Sequence, residues 1–222
     1  MAQPALRVGF FLDGFTLKKV NEYYREHHRF HSNLDFRGLK LWVQVNALRY
    51  FSPGEVRDVE MESHYYHPYR NPHVYGRDVE GVLRLEHELR SVGYQVHYSE
   101  VGGAAGPNLK LMEDAMLFAT YCRMEAAVLF TTQGQFALLP DRLRLMGIPT
   151  LVLGWDFIYP KAKRTIRWKT DSYLRETCAH YVAMEKVAEV VPGAADPSCP
   201  LFFQSCHPFG HNPAKKNLGS VC

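Results

Sequence analysis

Two strand-length apolar runs, each stopping abruptly on a polar turn, constrain this chain more than any other feature. Residues 6–15 (LRVGFFLDGF) stay apolar until Asp13-Gly14, and residues 126–136 (AAVLFTTQGQF) stay apolar until Thr131-Thr132-Gln133-Gly134-Gln135. Runs this short and this uniformly apolar suit parallel strands covered on both faces. Helix-length amphipathic stretches alternate with such runs along the chain. The expected fold class is therefore α/β, a three-layer sandwich around a mainly parallel central sheet. In such sheets ligands bind at the C-terminal strand ends, where Asp13, Asp114 or Glu113, and the Gln133–Gln135 turn are expected to converge in one crevice.

The remaining elements are read from periodicity and punctuation. A strand over 6–12 leads into a polar, aromatic helix over 16–28. Asp35 caps a second helix over 36–50, with Leu39, Val43 and Ala47 at four-residue spacing. A strand over 61–67 ends at His67-Pro68, and a charged helix over 76–92 stops at Gly93. Next come a strand over 94–98, a flexible connection over 101–107 (VGGAAGP), and a helix from Asn108 to about Met124. The strand over 127–131 is followed by a helix over 136–146 stopped by Gly147, then a strand over 150–153. A last helix is expected from Thr170 or Asp171, a capping residue, to about Val190. Prolines and glycines punctuate residues 191–222, so 1–190 read as one domain and 191–222 as a Pro/Gly-rich tail. That tail is the expected place for a protein partner or for self-association.

Composition bounds the rest. With 46% hydrophobic and 22% charged residues over 222 positions, the chain has the make-up of an ordinary globular domain. No apolar run reaches the roughly 18 residues of a membrane span, and no basic segment precedes a signal-like core; no membrane partner and a cytoplasmic location are expected. Five cysteines are odd in number and irregularly spaced, which argues against a disulfide scaffold; Cys122 and Cys178 read as small core hydrophobes. The net charge of +3 is mild, yet Lys161, Lys163, Arg164, Arg167 and Lys169 crowd around Trp168. Cations with an interleaved aromatic suit phosphates and a stacked base; the plainer alternative is a solvated strand rim.

Three segments carry candidate chemistry. Asp13 ends its strand with Gly14 behind it, which allows close backbone approach to a metal-bound phosphate, or alternatively a simple cap on the next helix. In the helix after Asn108, Leu111, Ala115, Phe118 and Cys122 form an apolar stripe. Asp114 lies at its edge, Glu113 points toward solvent, and Lys110 stands one turn before Asp114 in ion-pair spacing. The third segment runs from Thr131 to Phe136.

Taken in order, these segments resemble the NYN family of PIN-like ribonuclease domains, which includes LabA-like proteins. The hallmarks are a strand ending in Asp-Gly-x-Asn, a helix opening with a Lys-x-x-Asp type motif, and a strand ending in Ser-Gly-Asp-Ser-Asp-Phe. Phe11-Leu12-Asp13-Gly14-Phe15-Thr16 is similar to the first, with Thr16 in the Asn place. Lys110 with Glu113 fits the second by spacing, and Asp114 fits it by residue type one position on. Residues 131–136 fill the third, with Gln133 and Gln135 where the family has aspartates. By order and spacing the resemblance spans residues 7–188. It implies a metal-dependent endoribonuclease with Mg²⁺ or Mn²⁺ above the sheet. Its catalytic acids would be Asp13, Asp114 and Glu113, and its metal site Asp13, Asp114, Gln133 and Gln135. RNA would meet Lys110, Lys161, Lys163, Arg164, Arg167 and Trp168.

Glutamine offers a neutral carbonyl oxygen, without the charge or basicity of an acid, and the family's second helical acid falls at Ala119 or Thr120. Weakened catalysis is expected, and the alternative is a non-catalytic RNA-binding or protein-interaction module on the same fold. His27, His28 and His31 read as a solvated helix end. Cys199, Cys206, His207 and His211 match no standard finger spacing.

Overall fold

A computed structural model describes residues 3–28, 33–70, 79–99, 105–161 and 164–189. Six parallel strands form the central sheet in the order β3-β2-β1-β4-β5-β8. They are β1 (Leu6–Asp13), β2 (Val59–Arg70), β3 (Tyr94–Ser99), β4 (Ala126–Phe130), β5 (Thr150–Gly154) and β8 (His180–Ala183). As expected, the two apolar runs are inner strands; they also pair with each other. The chain builds outward from β1 through β2 to β3, then returns to place β4 on the other side of β1. The crevice beyond β1 and β4 is therefore the point where the strand order reverses.

Both faces of the sheet are covered, which is why these strands are uniformly apolar rather than alternating. Phe10 and Leu12 of β1 and Val128 and Phe130 of β4 face one core, with α1 (Gly14–Glu26), α2 (Phe36–Phe51) and Leu89 of α3 (Val79–Ser91). Phe11, Ala127 and Leu129 face the other, under α4 (Ala105–Thr120), α5 (Leu138–Leu145) and Leu174 of α6 (Ser172–Thr177). The result is a three-layer α/β sandwich. Asp35 caps α2 through the amides of Arg37 and Gly38, and Gly93 and Gly147 adopt the positive φ that ends their helices.

Four expectations need correction. Helix α4 starts at Ala105, so residues 105–107 are helical rather than a connection; Pro107 sits in its first turn, where a missing amide costs nothing. The helix also ends earlier, at Thr120, because Cys122 turns to φ 53°. The helix expected over 136–146 opens instead as a single 3₁₀ turn at Gly134–Phe136 before α5. The long last helix is really α6, then β8, then α7 (Met184–Glu189). His180–Ala183 pairs in parallel with Leu151–Gly154, and the open β5 edge overrides local helix preference. An unforeseen antiparallel hairpin, β6 (Phe157–Lys161) with β7 (Arg164–Trp168), lies apart from the main sheet. Its Phe157 and Tyr159 are buried in the first core. The tail from 191 onward lies outside the described residues.

Gly14, read in sequence as room for a phosphate, has its space taken by β2. A Cβ there would stand 2.4 Å from the Tyr66 carbonyl oxygen and 2.7 Å from Pro68 Cδ. Gly14→Ala should destabilise the fold by about 3 kcal/mol, although the same change at an open helix start stabilises by about 0.4–1 kcal/mol. Denaturant unfolding of both proteins decides the sign; a stabilised variant would show that α1 and β2 do not pack this closely.

Candidate functional site

Asp13 is the last residue of β1 and the N-cap of α1, and it is 3% exposed. A buried carboxylate must be met by donors or a cation, and here donors meet it. Oδ1 accepts from the Phe15 amide at 2.9 Å. Oδ2 accepts from the Thr16 hydroxyl at 2.7 Å, the Thr131 hydroxyl at 3.0 Å and Gln133 Nε2 at 2.6 Å. Three donors thus gather on Oδ2 and one on Oδ1, and the positive end of α1 adds to them. Strands β1 and β4 are thus joined above their last ladder bonds.

The network extends outward. The Thr132 amide donates to Thr16 Oγ1 at 3.2 Å, and Gln135 Nε2 donates to Gln133 Oε1 at 2.7 Å. As arranged, Asp13 is met by protein donors, and an ion on Oδ2 would have to displace the Gln133 amide. No group of three His, Cys, Asp or Glu among the described residues is spaced to hold a metal.

Asp114 belongs to a separate set. Its Oδ1 lies 2.8 Å from Lys110 Nζ, and its Oδ2 accepts from the Tyr66 phenol at 3.1 Å. Tyr66 is the residue paired with Asp13 across β1 and β2, so the two acids share a sheet rim but bind different partners. Glu113 faces solvent as expected and stands 3.8 Å from Lys110. Lys110, expected to meet RNA, is thus flanked by two carboxylates. Behind Asp114, His97 stacks on Tyr66 and its Nε2 lies 3.0 Å from His64 Nδ1. Burial holds His97 below its usual pKa and takes His64 down to about 4.

The basic segment divides. Lys161 pairs with Glu22 of α1, a contact that pulls the Glu22 carboxyl down to about 2. Lys163 lies outside the described residues. Arg164, Arg167 and Lys169 are exposed. Arg167 and Lys169 line a groove of about 450 Å³ together with the Gln133–Gln135 turn and Phe15. Trp168 also lines this groove but is half-buried, stacked on Phe157 and 6.0 Å from the Phe15 ring. Phe15 is 37% exposed and is the more open ring. Sequence reading missed it because an aromatic after Asp-Gly looks like core. Asp171, recognised as a cap, also abuts the turn: a Cβ on Gly134 would lie 2.6 Å from its Oδ2. His27 and His28 pack their rings on Tyr159, Tyr23 and Tyr24; His31 and the cysteines and histidines of the tail lie outside the described residues.

No protein-family model matches the chain, and no curated protein matches it. A crystal structure from Vibrio parahaemolyticus, titled a protein of unknown function, has a TM-score of 0.54 at 19% identity. The match covers 83% of this chain and 96% of that one. That likeness shows the fold. No helix among the described residues is long and apolar enough to cross a membrane.

The His64 environment predicts a pH dependence. Burial is the main cause of its low pKa, opposed by Asp114 and reinforced by His97 and Arg123. The ring stays neutral in the fold, whereas the unfolded chain takes up a proton below about pH 6.5. Stability should therefore fall as pH drops from about 6.5 toward 4, by about 2 kcal/mol between pH 8 and 5. Urea unfolding of wild type and His64→Phe at both pH values tests this; an equal loss in the variant would remove His64 as the cause.

Proposed function

We propose that this chain is a PIN-like domain of the NYN type that holds single-stranded RNA in the groove over the Gln133–Gln135 turn and does not cleave it. The observation that carries this reading is the company the groove keeps. Arg167 and Lys169 line it together with Phe15, Trp168 and the Gln133–Gln135 turn. Neither cation forms an ion pair among the described residues. Cations for phosphates beside an aromatic for a base are the two components of single-strand binding. The groove also lies at the strand-order reversal, the usual ligand position in this class of sheet.

The other activity implied by the family resemblance is hydrolysis with Mg²⁺ or Mn²⁺ through Asp13, Asp114 and Glu113. Phosphodiester cleavage of that kind needs several carboxylates on the ion. Asp13 is instead met by four donors, Asp114 by Lys110 and Tyr66, and Glu113 faces solvent. Those contacts favour binding without cleavage.

Fluorescence anisotropy with labelled RNA of about 12 nucleotides checks the reading across a range of salt. Replacing Arg167 and Lys169 together by Ala should weaken binding and make the log–log salt slope shallower by about 1.4, at about 0.7 per lost contact. Lys161→Ala should change the slope far less, since Glu22 already holds that ammonium. An unchanged slope in the double variant would take RNA out of this groove. Mn²⁺-dependent cleavage by wild type that disappears in Asp13→Asn would instead establish the nuclease.

A further inference from the structure

We propose that Gln135 reads the edge of one stacked base in this groove and that the base it favours is adenine. The inference rests on the RNA-binding reading above and goes beyond it to sequence preference.

It starts from the orientation of two amides. The Asp13 carboxylate can only accept, so Gln133 must turn its NH₂ group toward it, at 2.6 Å. That leaves Gln133 Oε1 facing away from the acid. Gln135 must then turn its own NH₂ toward that oxygen, at 2.7 Å. The buried charge thus sets the polarity of a two-amide relay ending at the groove mouth. At the end of the relay, Gln135 keeps its Oε1 and its second N–H without partners among the described residues. Gln135 is exposed and lines the groove with Phe15 and Trp168.

A side-chain amide presents a donor beside an acceptor, and its best match is a base edge with the complementary pair. Adenine offers N6–H beside N7 on one edge and beside N1 on the other, so it is matched whichever edge faces the amide. Uracil and cytosine carry such a pair on one edge only, and the N7 edge of guanine carries two acceptors. A purine also covers more of an aromatic platform than a pyrimidine does. Asp13 is a positioning residue here: it touches no base and acts by fixing which way the amides point.

The experiment compares labelled oligo(A), oligo(U) and oligo(C) of about 12 nucleotides against the full-length protein. Wild type should bind oligo(A) about tenfold tighter than the other two, within the discrimination of one good bidentate contact. Gln135→Ala should bring the three affinities to within about twofold of each other. Its thermal melt reports folding, and Gln135 is exposed, so loss of the preference would not reflect an unfolded chain. Equal wild-type affinities for the three oligonucleotides, with salt-dependent binding intact, would overturn the adenine assignment and leave the RNA reading standing. A preference that survives in Gln135→Ala would overturn the role of Gln135. No salt-dependent binding of any oligonucleotide would overturn both the inference and the reading beneath it.

Discussion

A carboxylate that is 3% exposed, at the point where the strand order reverses, is the constraint around which this site is built. Leaving such a charge unmatched would cost several kcal/mol. The chain meets it with an amide from α1, two hydroxyls and a glutamine NH₂. Two of these donors come from the turn after β4, and Thr16 from α1 also bonds to that turn. Asp13 therefore fixes the start of α1, the end of β1 and the shape of the glutamine turn together. A hydroxyl at position 16 and a glutamine at 133 are what make the arrangement self-sufficient; carboxylates at those points would repel Asp13 and call for a cation between them.

The elements around this knot are arranged by ordinary packing and pairing. Phe15 is exposed although its neighbours Gly14 and Thr16 are buried, and its amide donates to Asp13. The β6–β7 hairpin buries Phe157 and Tyr159 against α1, and by strand alternation this turns Arg167 outward beside the groove. Lys161, on the inward face, finds Glu22 instead. The hairpin thus sorts a single basic run into a cation paired with α1 and cations left exposed beside the groove.

The inner strands were legible because burial on both faces leaves no alternative to a continuous apolar run, and Asp35, Gly93 and Gly147 mark helix ends by local chemistry alone. β8 was not legible. Its four residues sit inside a helix-compatible stretch, and only the vacant edge of β5 selects strand. The hairpin was hidden for a related reason: Phe157-Ile158-Tyr159 could have joined the sheet, and its packing on α1 sets it apart. At the site, the meeting of Asp13 with the Gln133 turn could be read from two strand ends alone. The pairing of Lys110 with Asp114 was legible from their one-turn spacing. That of Lys161 was not, because Glu22 is far away in sequence and reaches it only through the hairpin fold.

Protein donors meet the Asp13 carboxylate, and on this account no metal ion is needed there. The most direct test is the melting temperature of the wild-type protein in chelator and across a millimolar Mn²⁺ series, with Asp13→Asn alongside. Internal neutralisation predicts a wild-type melting temperature that does not move with Mn²⁺, and a clearly lower one for Asp13→Asn under both conditions. A saturable rise with Mn²⁺ in wild type that vanishes in Asp13→Asn would contradict it, since only an ion bound at this carboxylate stabilises the fold in that way.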